Sequence, residues 1–203
     1  MIDGGSSGPS SATREPYSHD PTLPGVLAWT REETAEYIEK INNAECQATA
    51  HAIGDLAIEF MVEGYEKAFE KNPRPDLRHR IEHCSVVDKD LVDRMAKMNI
   101  CPTLNSGMFT FQGKRYAEIY GEKRAKYFIA LRSMLDAGMK PAIASDSPSG
   151  PMGLSVIDGA VNRYDYKAGF QFDKTQAISL LEAIRCATLN GAYASYEDDI
   201  KGS

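Results

Sequence analysis

The sequence has no C-x-x-C pair, no cluster of Arg and Lys interleaved with aromatics, and no apolar run long enough to cross a bilayer. Each absence removes a class of function. With 23 Lys and Arg against 29 Asp and Glu, the formal net charge is -6 and no basic surface is expected to meet a phosphate backbone. Nucleic acid and membrane are therefore not expected partners. The four cysteines, Cys46, Cys84, Cys101 and Cys186, lie far apart and fit reduced, buried thiols better than a disulfide framework or a zinc knuckle. Met1 leads into "IDGGSSGPSSATREP", which has neither the basic n-region nor the apolar h-region of a secretory signal, so a cytoplasmic setting is expected.

What is present is an ordinary globular composition, 42% hydrophobic over 203 residues, enough for one sizeable core. Residues 4–29 are rich in Gly, Ser and Pro without periodicity and read as a long irregular loop. From Thr30 onward the pattern repeats. Thr30 and Glu33 have capping-box spacing before a helix through "TREETAEYIEKINNA". "CQATAH" then reads as a strand, "DLAIEFMVEGYEKAFEKN" as an amphipathic helix, "RHRIEHCSVV" as a strand and "DKDLVDRMAKMN" as a helix. "ICPTL" makes a third strand, followed by a polar aromatic stretch and a helix through "KRAKYFIALRSMLDAG" that stops at Gly138. "KPAIASD" is a fourth strand, and both "GLSVIDGAVNRYDYKAG" and "SLLEAIRCATLNGAYAS" read as helical, the second opened by Ser179 with Glu182 three residues on. Strands alternating with helices predict an α/β fold with a parallel sheet, in one domain over residues 1–203.

The polar residues favour a barrel. His51 in "ATAHAIGD", His83 after "RIE" and Asp146 after "AIAS" each stand at the carboxyl end of a predicted strand, the rim where parallel barrels carry their chemistry. Two imidazoles and a carboxylate suit zinc or a similar divalent ion with a position left open. Such an ion brings the pKa of bound water down to about 7, and a carboxylate beside it can carry the proton to a leaving amine. Asp146 is the candidate for that role. Asp55, behind Gly54, reads as an N-cap or as a partner of His51; Glu82 is expected on the helix side of its strand, His79 too far down to reach the same ion, and His19 in solvent. The aromatic run "MFTFQGKRYAEIYG" lines either a pocket or the core.

The motifs "DGGSSGPSS", "HAIGDLAI", "RHRIEHCSVVD", "AGMKPAIASDSP" and "LLEAIRCATLNGAYAS", in this order, resemble the amidohydrolase superfamily, in the branch with exoenzyme-regulatory-protein-like and N-substituted formamide deformylase-like enzymes. The resemblance covers the whole chain. It implies strands five to eight of a (β/α)₈ barrel, with His51 as the ligand after the fifth strand, His83 as the ligand after the sixth, and Asp146 as the acid after the eighth. It also implies one or two bound metals and hydrolysis of small amide-type substrates. The family's His-x-His pair is absent, and its bridging lysine or acid would fall before Met1. A half-barrel with an incomplete metal site, inactive in isolation, is the expectation for this chain, set within a metal-dependent hydrolase of C–N bonds. A non-catalytic fold unit and a metal-dependent esterase or phosphoesterase are the alternatives; no Arg cluster accompanies the histidines to favour phosphate. Open strand edges and exposed inward-facing apolar residues predict a homodimer or larger assembly.

Overall fold

The repeated strand-helix pattern forms because each helix carries one apolar stripe that only a sheet face can bury. A computed structural model describes residues 1–147 and 153–202, so Pro148 of the fourth motif lies outside the described residues. Helix α1 (Arg31–Asn43) starts at the anticipated capping box, with Thr30 Oγ1 accepting from Glu33 N–H and the Glu33 carboxylate accepting from Thr30 N–H. Strand β1 (Thr49–Ala52) leads through Ile53 and Gly54 into α2 (Asp55–Lys71), and β2 (Arg80–His83) leads to α3 (Lys89–Lys97), capped by Asp88. Strand β3 (Cys101–Leu104), helices α4 (Phe109–Ala125) and α5 (Leu131–Asp136), and β4 (Ala142–Ile143) complete a parallel sheet in the order β1-β2-β3-β4. Helix α6 (Ser155–Asn162), the antiparallel hairpin β5 (Tyr164–Asp165) and β6 (Phe170–Gln171), and helices α7 (Leu180–Ala187) and α8 (Leu189–Ala194) follow.

Several elements depart from the periodicity reading. The aromatic stretch after β3 is the body of α4, and the helix expected through residues 123–138 is instead broken between α4 and α5. Gly113 inside α4 packs against the Asp165 side chain of the hairpin. Gly121 at φ 75 then breaks the helical path. The segment after Asn162 turns into the hairpin, and α7 and α8 are divided at Thr188 (φ -119, ψ -83). The amino-terminal segment is more than a loop. Asp3 bridges Leu27, Ile2 N–H donates to His51 O, and Ala28 N–H donates to Ile2 O, which lays the segment along the β1 edge.

The ladder register sets which side chains share a face. Thr49 pairs with Arg80, His51 with Glu82, Arg80 with Cys101, and Glu82 with Thr103. Strand alternation then places Thr49, His51, Arg80, Glu82, Cys101 and Thr103 on one side and Ala50, Ala52, Ile81, Pro102 and Leu104 on the other. The second side meets the helices, and Ala52, Ile81 and Leu104 are fully buried there. The His51 side is mostly polar, with Arg80 paired to Glu82 and Thr49 Oγ1 donating to Glu82. That corrects two expectations: Glu82 faces the same side as His51, and the inward face is not the apolar surface on which the argument for a dimer relied.

Candidate functional site

His51 sits within β1 and His83 ends β2. Strict alternation would send the His83 side chain to the helix side, opposite Glu82. The backbone prevents this: His83 has φ 71 and Cys84 φ 41, left-handed values that non-glycine residues adopt at a cost of about 1 to 3 kcal/mol each. The twist re-aims the ring, and His83 meets His51 edge to face with centroids 4.3 Å apart. Asp146, three residues beyond β4 and also left-handed at φ 54, is exposed and borders the same cavity of about 320 Å³. The three residues singled out from the sequence therefore line one cavity, although the strand alternation argument does not explain how His83 reaches it.

Hydrogen bonds fix the tautomers of both rings. His51 Nε2 lies 3.2 Å from Gly4 O, and a carbonyl can only accept, so the proton is on Nε2 and the lone pair on Nδ1. His83 Nδ1 lies 2.5 Å from Asn105 Oδ1, while Asn105 Nδ2 donates to Ala144 O. Asn105 therefore presents its oxygen, His83 donates from Nδ1, and the lone pair is on Nε2. Burial, followed by the neighbouring His83 ring, holds the His51 pKa below the ordinary imidazole value, so this ring is neutral at pH 7.

Asp3 and Asn105 had no signal in the chain beyond their residue types. Asp3 is 1% exposed, and its carboxylate accepts from Ile53 N–H, Gly54 N–H and Ala12 N–H at 2.8 to 2.9 Å, with Oδ1 3.6 Å from His51 Nε2. Burial pushes its carboxyl up to about 6, against the pull of the three N–H groups and the His83 ring. The motif "DGGSS" carries only a family likeness in the sequence, and the fold shows that its aspartate seats the segment beside His51. Gly54 is required here, because a Cβ on it would lie 1.9 Å from Ala12 O.

The other candidates resolve differently. Asp55 is the first residue of α2 and accepts from Arg14 N–H, so it neither caps the helix nor reaches His51; Asp3 stands where it was expected. His79 is buried outside the cavity, with Nδ1 accepting from Ala48 N–H and Nε2 facing Asn42 Oδ1. His19 is exposed and touches the Tyr17 ring by its edge. The aromatic stretch serves both purposes weighed for it: Phe109 and Tyr120 are core, while Tyr116 is buried and also borders the cavity.

The donor types fit a divalent ion: two imidazoles, each with one ring nitrogen outside the hydrogen bond that orients it, and a carboxylate on one cavity. Their spacing does not complete a site. Among the described residues, no three His, Cys, Asp or Glu side chains stand close enough together to hold a metal.

A parallel α/β sheet presenting histidines from the ends of adjacent strands places the chain among the β/α-barrel proteins. It belongs to the amidohydrolase family, which it matches over residues 1–203. It is 30% identical to the putative amidohydrolase YtcJ of Bacillus subtilis (strain 168), over all of this chain and 38% of that protein. To the N-substituted formamide deformylase of Arthrobacter pascens it is 26% identical, over 96% of this chain and 36% of the other. An uncharacterized metal-dependent hydrolase from Pyrococcus furiosus superposes with a TM-score of 0.83 at 28% identity, covering 100% of this chain and 40% of that one. The chain thus spans less than two fifths of the length of these two curated relatives.

Proposed function

We propose that this chain carries part of the active site of a metal-dependent hydrolase acting on amide or other C–N bonds of small molecules. The observation that carries this reading is the pair of facing imidazoles, with lone pairs left on His51 Nδ1 and His83 Nε2 by hydrogen bonds to Gly4 and Asn105. These two nitrogens are the imidazole ligands contributed by this segment. Family membership and the formamide-deformylase relative support the reaction class. The remaining ligands come from parts of a longer protein, consistent with relatives more than twice as long. A bound divalent ion, with zinc the choice best suited to imidazole, supplies Lewis acidity that polarises a carbonyl and acidifies water.

The other steps belong to the chain's own side chains. Gly4 O and Asp3 hold the His51 ring, and Asn105 holds His83, so neither must reorient on binding. Asp146, exposed and bordering the cavity, adds a carboxylate to the ligand set and takes the proton of the attacking water, then delivers it to the departing nitrogen. In the full-length enzyme, Asp146→Asn should keep the fold and lower turnover by about 10² to 10⁴-fold, because a carboxamide cannot accept that proton at neutral pH. Wild-type kcat in a folded, metal-replete Asp146→Asn enzyme would remove Asp146 from the mechanism.

A further inference from the structure

Met108, Gln112 and Tyr116 are spaced i, i+4, i+8 along and just before α4, and all three line the cavity that holds the two histidines. Two of their polar atoms are not accounted for. Tyr116 Oη and Gln112 Oε1 are buried without a hydrogen-bond partner, and Tyr116 as a whole is 1% exposed. Buried polar groups in folded proteins are nearly always bonded, so two orphans on one cavity wall call for a ligand or water that completes them. Ser6 approaches the phenol without reaching hydrogen-bond geometry. Burial pushes the Tyr116 hydroxyl up to about 12, so it keeps its proton and is available as a donor.

Phe128, Ile129 and Ile53 add apolar wall to the same space, and none of the described residues lining it is Lys or Arg. We infer that Gln112 and Tyr116 form a recognition subsite for an uncharged group that both accepts and donates a hydrogen bond, such as a primary carboxamide, carried on an apolar skeleton. The Tyr116 hydroxyl donates to the carbonyl oxygen of that group, and Gln112 Oε1 accepts from its N–H. A carboxylate offers no N–H to Gln112 and, in the metal-free chain, meets no Lys or Arg among the described lining residues, so the subsite itself selects neutral molecules over anionic ones. A cavity of about 320 Å³ holds a ligand of this size. The inference deepens the hydrolase reading by naming the class of substrate, and its test is chosen not to need turnover.

The test is calorimetric titration of the 203-residue chain with 4-phenylbutanamide and with 4-phenylbutanoate, which share a skeleton and differ in the end group. The amide should bind at least about tenfold more tightly than the carboxylate, and Tyr116→Phe and Gln112→Leu should each weaken the amide about tenfold, the loss of one hydrogen bond, while changing carboxylate binding little. Circular dichroism melts would confirm that both variants are folded. Absence of amide binding to the wild-type chain, equal affinity for the two probes, or wild-type amide affinity in both folded variants would each overturn the subsite. Loss of the hydrolase reading would instead show as absence of turnover in the full-length enzyme, with the calorimetric preference intact.

Discussion

His79 makes acid a selective stress on this fold. Its Nδ1 accepts from Ala48 N–H at 3.0 Å, and Asn42, whose own Nδ2 is committed to Asn72 O, presents Oδ1 to Nε2 at 3.0 Å. The ring stacks on Tyr65 with centroids 5.1 Å apart. Only the neutral Nε2–H tautomer satisfies both bonds; a proton on Nδ1 would point at the Ala48 N–H. Burial accordingly pulls its pKa from 6.5 down to about 4. The native ring thus refuses a proton that the unfolded chain binds below pH 6.5, so the stability it contributes is intact above that pH and is lost as pH falls towards about 4. The loss is about 3 kcal/mol at the lower end, a large share of a typical domain's total. His79→Gln can keep an acceptor for Ala48 and a donor for Asn42 but cannot titrate. Urea melts of both proteins at a series of pH values should show the wild type losing about 3 kcal/mol more than the variant between these limits. Parallel stability curves would refute the reasoning.

Two further outcomes follow from buried polar groups. Asp3→Ala leaves the N–H groups of Ile53, Gly54 and Ala12 without their acceptor and should cost about 3 kcal/mol or more in urea melts, with earlier proteolysis of the first 29 residues. Arg163, fully buried against Phe109 and Phe172, donates to the carbonyls of Phe128, Ile129 and Asp173, and Arg163→Met should cost about 3 kcal/mol because three carbonyls lose their donor.

Elements whose cause is local were legible in the chain. The capping boxes at Thr30 and Ser179, the amphipathic stripe of α2 and the three longer strands all follow from spacing that a short window contains. Elements decided by distant contacts were not. The hairpin after α6, read as a continuation of that helix, pairs only two residues on each strand, and α4 packs against it across the chain. The site divides in the same way. His51, His83 and Asp146 were visible as chemistry-bearing residues at strand ends, but the left-handed backbone that turns His83 towards His51 has no local signature. Asp3 and Asn105 act through contacts 50 and 22 residues away in the chain, to Ile53 and to His83 respectively.

The most direct measurement is the metal content of the full-length enzyme, by plasma mass spectrometry after dialysis, for wild type, His51→Ala, His83→Ala and the double variant. If the two imidazoles are ligands, each single variant should retain less divalent metal than wild type and the double variant least, with hydrolysis of a neutral N-substituted amide falling in the same order. A folded double variant with wild-type metal content and activity would contradict the account.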